Sequence, residues 1–313
     1  MTFKKARKEK LFARIALVGI SGSGKTRTAL RMANVLKGDK RIALIDTEFE
    51  SASLYAGSFD FDTMQLTDYN PKNYISAIKE ASESGEYGCL IIDSLSHAWE
   101  GKGGALDIKD KIERRGGAGV NSYTAWREVT PLHNDLVEAI LRAPMNVIVT
   151  MRSKQDISME KGENGRTKIV KHGTKAIQRE GMEYEFTVVA DIDQDHYLTV
   201  GKTRIDSLDQ YTEQRAGEAF AQQILDFMMS GEGDAPTIPN IPTLHTRDEL
   251  LAFARQQGLN VDMAALADIL RSGGYNTSFT SEAWPVMTEI VLRAAAMARE
   301  QEAVLNAQDV PLS

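Results

Sequence analysis

The chain has 313 residues, 42% hydrophobic and 26% charged, with a formal net charge of −7. That length accommodates one large domain with a smaller one, or two domains, and an ample core. The acidic balance excludes a global basic field, so any nucleic-acid site must be local.

Cys89 is the only cysteine, which excludes an intramolecular disulfide and a cysteine-rich metal site and fits a reducing, cytoplasmic setting. The five histidines lack ligand-like spacing, and no apolar run is long enough to span a bilayer. Residues 1–14 carry Lys4, Lys5, Arg7, Lys8, Lys10 and Arg14 against Glu9. No apolar signal core follows, so the stretch reads as a solvated lead-in rather than a DNA-contacting arm.

Ile15 to Val18 reads as a buried strand and Thr28 to Leu36 as a helix. Between them Gly19-Ile20-Ser21-Gly22-Ser23-Gly24-Lys25-Thr26 fits G-x-x-x-x-G-K-[ST] without mismatch. Strand, glycine loop and helix form a phosphate cradle: glycines let backbone N–H groups turn inward, and the helix N-terminus adds positive charge. The candidate nucleotide-binding set is Gly19, Ser21, Gly22, Ser23, Gly24, Lys25, Thr26 and Arg27. Lys25 can reach the β- and γ-phosphates of ATP, and the Thr26 hydroxyl can ligate Mg2+.

Arg41 to Asp46 reads as a second strand ending in Asp46-Thr47-Glu48. This puts Glu48 at a carboxyl end, where open α/β sheets place their chemistry. A short strand is expected between Phe59 and Leu66 and a helix over Pro71 to Ser84. Gly88 to Asp93 is an apolar run closing on an acid, the Walker B form, so Asp93 joins Thr26 as a metal candidate. Glu100 to Tyr123 reads as a glycine-rich loop, Trp126 to Leu141 as a helix, and Met145 to Thr150 as a fourth strand.

Residues 151–180 read as irregular and basic, eight cations against four anions. Arg152, Lys154, Arg166, Lys168, Lys171, Lys175 and Arg179 are the candidate DNA contacts, against the plainer reading of a hairpin with a solvated basic face. Phe186–Asp191 and His196–Val200 read as a strand pair running into Gly201-Lys202-Thr203-Arg204. Alternation puts Lys202 and Arg204 on one face with Val200. A helix is expected from Thr212 to Met229. Ser230 to Pro242 is a linker with three prolines and two glycines. The expected division is therefore a core over 1–229, a linker over 230–242 and a small helical domain over 243–313. In the last, Thr246 is the N-cap and Glu249 the capping-box acid of the first helix. Residues 243–313 are net acidic, which suits protein docking better than DNA phosphates.

Taken together, these parts resemble the RecA-like P-loop ATPase core, and most nearly the phage-encoded AAA/RecA-like proteins of single-strand annealing and recombination. The resemblance rests on Gly19–Thr26, Asp46–Glu48, Ile91–Ser94, Val147–Arg152, Gln178–Phe186 and Gly201–Arg204, and covers roughly residues 10–225. It implies an α/β fold with a mostly parallel central sheet and a cytoplasmic Mg2+-dependent ATPase stimulated by DNA. Glu48 would activate water, with Lys25 alongside it in catalysis. The 100–123 and 151–180 segments would bind single-stranded DNA. Lys202 and Arg204 would reach a neighbour's ATP site in a homo-oligomeric ring or filament. A single-strand-binding or recombination protein would dock on the C-terminal domain; no membrane is involved. The family's sensor glutamine does not directly follow the fourth strand; Thr150, Arg152 or Gln155 stands in its place. The alternatives are a P-loop kinase with residues 151–180 as a basic lid, and a nucleotide-gated adaptor without turnover.

Overall fold

The computed structural model describes residues 5–115, 121–161, 167–232 and 246–272, plus single positions between Met287 and Ala298; side chains at 155–161 and 167–173 lie outside the description. The chain divides into two compact units, Met1–Ile238 and Pro239–Ser313.

The first unit is built on a nine-stranded sheet. In chain order its strands are β1 (Arg14–Gly19), β2 (Arg41–Asp46), β3 (Asp62–Gln65), β4 (Tyr87–Asp93), β5 (Asn146–Lys161), β6 (Thr167–Ala176), β7 (Val188–Ile192), β8 (Tyr197–Thr203) and β9 (Thr212–Gln214). The spatial order is β3-β2-β4-β5-β1-β7-β8-β9, with β6 paired to β5 outside that path. From β3 to β7 every pairing is parallel; β5–β6, β7–β8 and β8–β9 are antiparallel.

Parallel strands covered on both faces need apolar side chains on both, which explains the unbroken runs in β1, β2 and β4. Ile15, Leu17, Leu44 and Ile91 face one core, closed by α1 (Lys25–Leu36) and, later in the chain, α6 (Glu218–Met229). Ala16, Val18, Ile45 and Ile92 face the other, closed by α2 (Pro71–Ser84) and α5 (Ser122–Arg142). Each fully buried Leu or Ile adds roughly 1.5–3 kcal/mol. Asn70 caps α2 by accepting from the Lys72 N–H at 3.0 Å, with Pro71 in the first turn.

Several expectations are corrected. A short helix, α3 (Ser96–Glu100), leads into the stretch 100–123, which itself holds α4 (Ala105–Arg115) as well as loop, and α5 begins at Ser122, capped by Asn121. The glycines at 101–104 and 116–119 hide the helix α4 between them. Residues 151–180 are largely a hairpin: Ser153 to Lys161 of β5 pairs antiparallel with β6. Its mostly polar sequence offers only a short apolar alternation, Ile157 and Met159 between Asp156, Ser158 and Glu160. Before α6, residues Thr212–Gln214 form the edge strand β9, so the helix starts six residues later than expected.

Arg14 is no part of a solvated lead-in: only 7% exposed, it donates to the carbonyls of Leu141 at 2.8 Å, Ala143 at 2.5 Å and Met145 at 2.8 Å. The guanidinium thus serves the carbonyl end of α5, where a cation is favoured; burial brings its pKa down to about 10. The lead-in itself is bound to the end of α6, with Leu11 N–H donating to Met228 at 3.3 Å and Glu232 N–H to Lys8 at 2.7 Å.

In the second unit, α7 (Arg247–Gln256) carries the Thr246–Glu249 capping box that the sequence predicts, and α8 (Met263–Ser272) follows. Leu250, Phe253, Leu266, Leu270, Met287 and Val291 form its core.

Candidate nucleotide site

Parallel pairing aligns the carboxyl ends of β1, β2, β4 and β5: Gly19 lies opposite Arg152, and Asp46 opposite Asp93. The phosphate loop leaves this edge into α1. Gly22 and Gly24 hold φ of 79° and 94°, a region that favours glycine. Gly19 is needed for a different reason: a Cβ there would meet the Ile192 carbonyl at 2.4 Å and Ser23 Oγ at 2.6 Å. No side chain caps α1 and no acid occupies its first turn, so its N–H groups suit an anion. The buried Lys25 ammonium donates to the carbonyls of Gly19 at 3.0 Å and Ile20 at 2.7 Å. Burial lowers its pKa, against the pull of Asp93 and Glu48.

The opposite wall comes from distant segments. Thr26 Oγ1 donates to Asp93 Oδ2 at 2.6 Å, and Thr150 Oγ1 donates to Asp93 Oδ1. Burial pushes the Asp93 carboxyl up, opposed by these two hydroxyls. Glu48 N–H donates to Asp46 Oδ1 at 2.6 Å, fixing the turn that presents Glu48. The Arg152 guanidinium contacts Glu48 Oε1 through Nε and Nη2, each at 3.0 Å. Lys25, Thr26, Glu48, Asp93, Arg152, Ser21 and Tyr55 line one cavity of about 160 Å³.

Behind this wall lies a polar layer. Thr47 Oγ1 accepts from Ser94 N–H at 2.8 Å and meets His97 Nδ1 at 2.7 Å, while Tyr69 stacks on His97 at 4.7 Å. Burial lowers the pKa of His97, helped by the Arg152 charge. Gln178 donates to the Leu95 carbonyl at 3.1 Å and meets His133 Nε2 at 3.2 Å.

A second cavity, about 350 Å³, adjoins the loop and is lined by Gly22, Ser23, Gly24, Arg27, Tyr55, His196 and Arg215. His196 Nδ1 lies 2.9 Å from the Ser23 carbonyl. The sequence marks none of Tyr55, His196, Arg215 or His97, because each reaches the site through tertiary placement rather than through a contiguous motif.

The structure brings together Gly22, Gly24, Lys25, Thr26, Ser21, Glu48 and Asp93. Ser23 is buried and its Oγ has no partner among the described residues. Arg152 lies apart from the other described candidate DNA residues, of which Lys154 pairs in register with Lys175, and Lys175 and Arg179 line one further cavity. Arg152 belongs to the phosphate cavity, Lys154 is exposed where the hairpin starts, and Arg179 donates to Asn134 at 3.2 Å. Lys175 pairs with Glu180 at 3.2 Å. Arg166, and the side chains of Lys168 and Lys171, lie outside the described residues.

Lys202 donates to the carbonyl of Phe186 and to that of Tyr184 at 3.3 Å; Arg204 is exposed. The expectation that both share a face with Val200 is corrected. Val200 pairs with Ala190 but Lys202 with Val189, leaving Gly201 as a bulge. The extra residue turns Lys202 to the face of Val189, away from Val200, and Arg204 lies beyond the end of β8. Neither lines the phosphate cavity of its own chain.

Among the described residues no helix is long and apolar enough to cross a membrane. No curated protein matches the chain. A family model described as an AAA domain matches residues 11–217, which run from the approach to β1 past the end of β9 and include both walls of the cavity. The mostly parallel sheet, the loop seated between β1 and α1, and the Thr26–Asp93 pair agree with that match: the chain belongs to the AAA domain family of P-loop NTPases.

Proposed function

We propose that the protein is a Mg2+-dependent ATPase that binds single-stranded DNA through the β5–β6 hairpin and assists phage recombination or annealing. The observation that carries the reading is the convergence of Lys25, the Thr26–Asp93 pair and Glu48 on one cavity. Among the described residues no three His, Cys, Asp or Glu converge as a metal cage. A hydroxyl beside a carboxylate is instead the sparse oxygen set that suits Mg2+, which keeps waters and takes further ligands from phosphate. Thr26 and Asp93 would hold that ion, and when bound it neutralises charge on the phosphates.

Lys25 and the α1 N-terminus bind the β- and γ-phosphates, and the cavity that shares Tyr55 takes the nucleoside. Water oxygen attacks the γ-phosphorus as the bond to the bridging oxygen breaks. Glu48 takes the water proton, and ADP and phosphate leave. Lys202 and Arg204 serve the γ-phosphate of a neighbouring copy in a ring or filament. The C-terminal unit docks a protein partner.

The test is ATP hydrolysis with and without single-stranded DNA. Stimulation by DNA is expected. In the Lys168, Lys171 and Lys175 triple alanine variant, the salt slope of binding should flatten by up to roughly 0.7 per lost phosphate contact. Turnover indifferent to DNA, or an unchanged slope, contradicts the DNA assignment; absence of turnover favours a nucleotide-gated adaptor.

A further inference from the structure

Trp99 of α3 and Trp126 of α5 stack on each other, with ring centroids 5.5 Å apart and planes 18° from parallel. Trp99 also meets the buried His133 edge-on at 5.5 Å. Both indoles are half-buried, and neither belongs to the two cores on the faces of the sheet. Tyr123, 76% exposed, lies one turn before Trp126 on α5. Residues three and seven apart on a helix share a face, so Tyr123, Trp126 and His133 stand in line. The result is an aromatic row along one side of α5, open at Tyr123 and closed at His133. The closed end touches the root of the β5–β6 hairpin. His133 Nε2 meets Gln178 at 3.2 Å, and Asn134 accepts from Arg179 at 3.2 Å. Arg179 and Lys175 line one cavity, and Lys175 stands opposite Lys154 in the hairpin register. A row of rings thus continues into a group of cations.

We infer that the Trp99–Trp126 pair is a stacking platform for the bases of a single strand whose phosphates lie along the hairpin cations. The inference rests on the DNA-binding reading above and adds a second kind of contact to it. Single strands are held by cations along the backbone and by ring faces under the bases. The hairpin supplies only the first, because no Phe, Tyr or Trp lies between Met151 and Met182. Ring faces must come from another element, and α3 and α5 bring them to the hairpin root. Two indoles already stacked nearly parallel offer a base a pre-set ring face, at little further cost in side-chain ordering. A duplex has its base faces stacked internally, so the platform selects unpaired strands.

Titration with an oligothymidylate and with an abasic oligomer of equal length tests this, since both carry the same phosphates and only one carries bases. The wild type should bind the oligothymidylate about 10- to 100-fold more tightly, and its tryptophan fluorescence should fall with that oligomer alone. Trp126→Ala should lose most of this ratio and Trp126→Phe should keep part of it. Both should retain wild-type affinity for the abasic oligomer and its salt slope. The Lys168, Lys171 and Lys175 triple alanine variant should do the reverse, flattening the slope for both oligomers and leaving the ratio. ATP affinity checks that each variant is folded; should Trp126→Ala fail that check, the Phe variant and the wild-type ratio decide. A wild-type ratio near one, or a ratio unmoved in folded Trp126→Ala, overturns the proposal alone. Failure of the wild type to bind either oligomer overturns both the proposal and the DNA-binding reading beneath it.

Discussion

The phosphate loop draws its groups from eight consecutive residues, Gly19 to Thr26, whereas the facing wall takes Glu48 from beyond β2, Asp93 from β4, and Thr150 and Arg152 from β5. The first is a local conformation, set by two glycines at positive φ and a third that admits no Cβ. The second exists only because β5 lies between β4 and β1, which brings Thr150 to Asp93 and Arg152 to Glu48. A contiguous loop can grip a phosphate by itself; groups that act on water must come from several strand ends held in register. On the proposed reading Glu48 acts on water while Lys25, Thr26 and Asp93 hold the nucleotide and its metal, so binding and chemistry should be separable by mutation at Glu48.

The largest expected effect follows from the proposed assembly, in which Lys202 and Arg204 serve a neighbouring copy. An arginine contributed by a neighbour is worth roughly 10³–10⁵ in rate at related sites. Arg204→Ala should lose turnover on that scale while still binding ATP. Mixing it with Glu48→Gln protomers should restore part of the activity, because some interfaces pair an intact Glu48 with an intact Arg204. If co-assembled mixtures stay inactive at every ratio, the cations act within their own chain or not at all.

A smaller effect distinguishes the walls by pH. The phosphate loop contains no histidine. The facing wall is backed by His133, only 4% exposed, which holds Gln178 and packs edge-on against Trp99. Burial lowers the pKa of His133, partly offset by the Gln178 bond. The folded chain thus binds fewer protons there than the unfolded one. This contribution to stability is fully present above about pH 6.5 and is lost as pH falls toward the lowered folded value. Thermal melts of His133→Gln should lose less between pH 7 and pH 5 than the wild type, by roughly 2–4 °C if about 1 kcal/mol is involved. Parallel loss in the two proteins would mean that His133 does not titrate with unfolding.

The same contrast governs what the sequence discloses. The core strands β1, β2 and β4, the loop and Asp93 are readable because each is a contiguous pattern whose physical cause lies within a few residues. Glu48 is readable as a strand-end acid, but its partner Arg152 is not, since 104 positions separate them and only parallel pairing joins them. Arg152 sits among basic residues, and composition alone assigns it to their company. The bulge at Gly201 escapes a two-residue alternation, because a single inserted residue reverses the face of everything after it. Arg14 reads as one more surface cation until the carbonyl end of α5 is placed beside it.

The separation of binding from chemistry is tested most directly by measuring ATP affinity and turnover in the same preparation of Glu48→Gln. The variant keeps Lys25, Thr26 and Asp93, so it should bind ATP at least as well as wild type. It should hydrolyse ATP about 100-fold more slowly, or slower still, the usual worth of a general base. Loss of affinity and turnover in equal measure would contradict the account, since Glu48 would then hold the nucleotide site together rather than act on water.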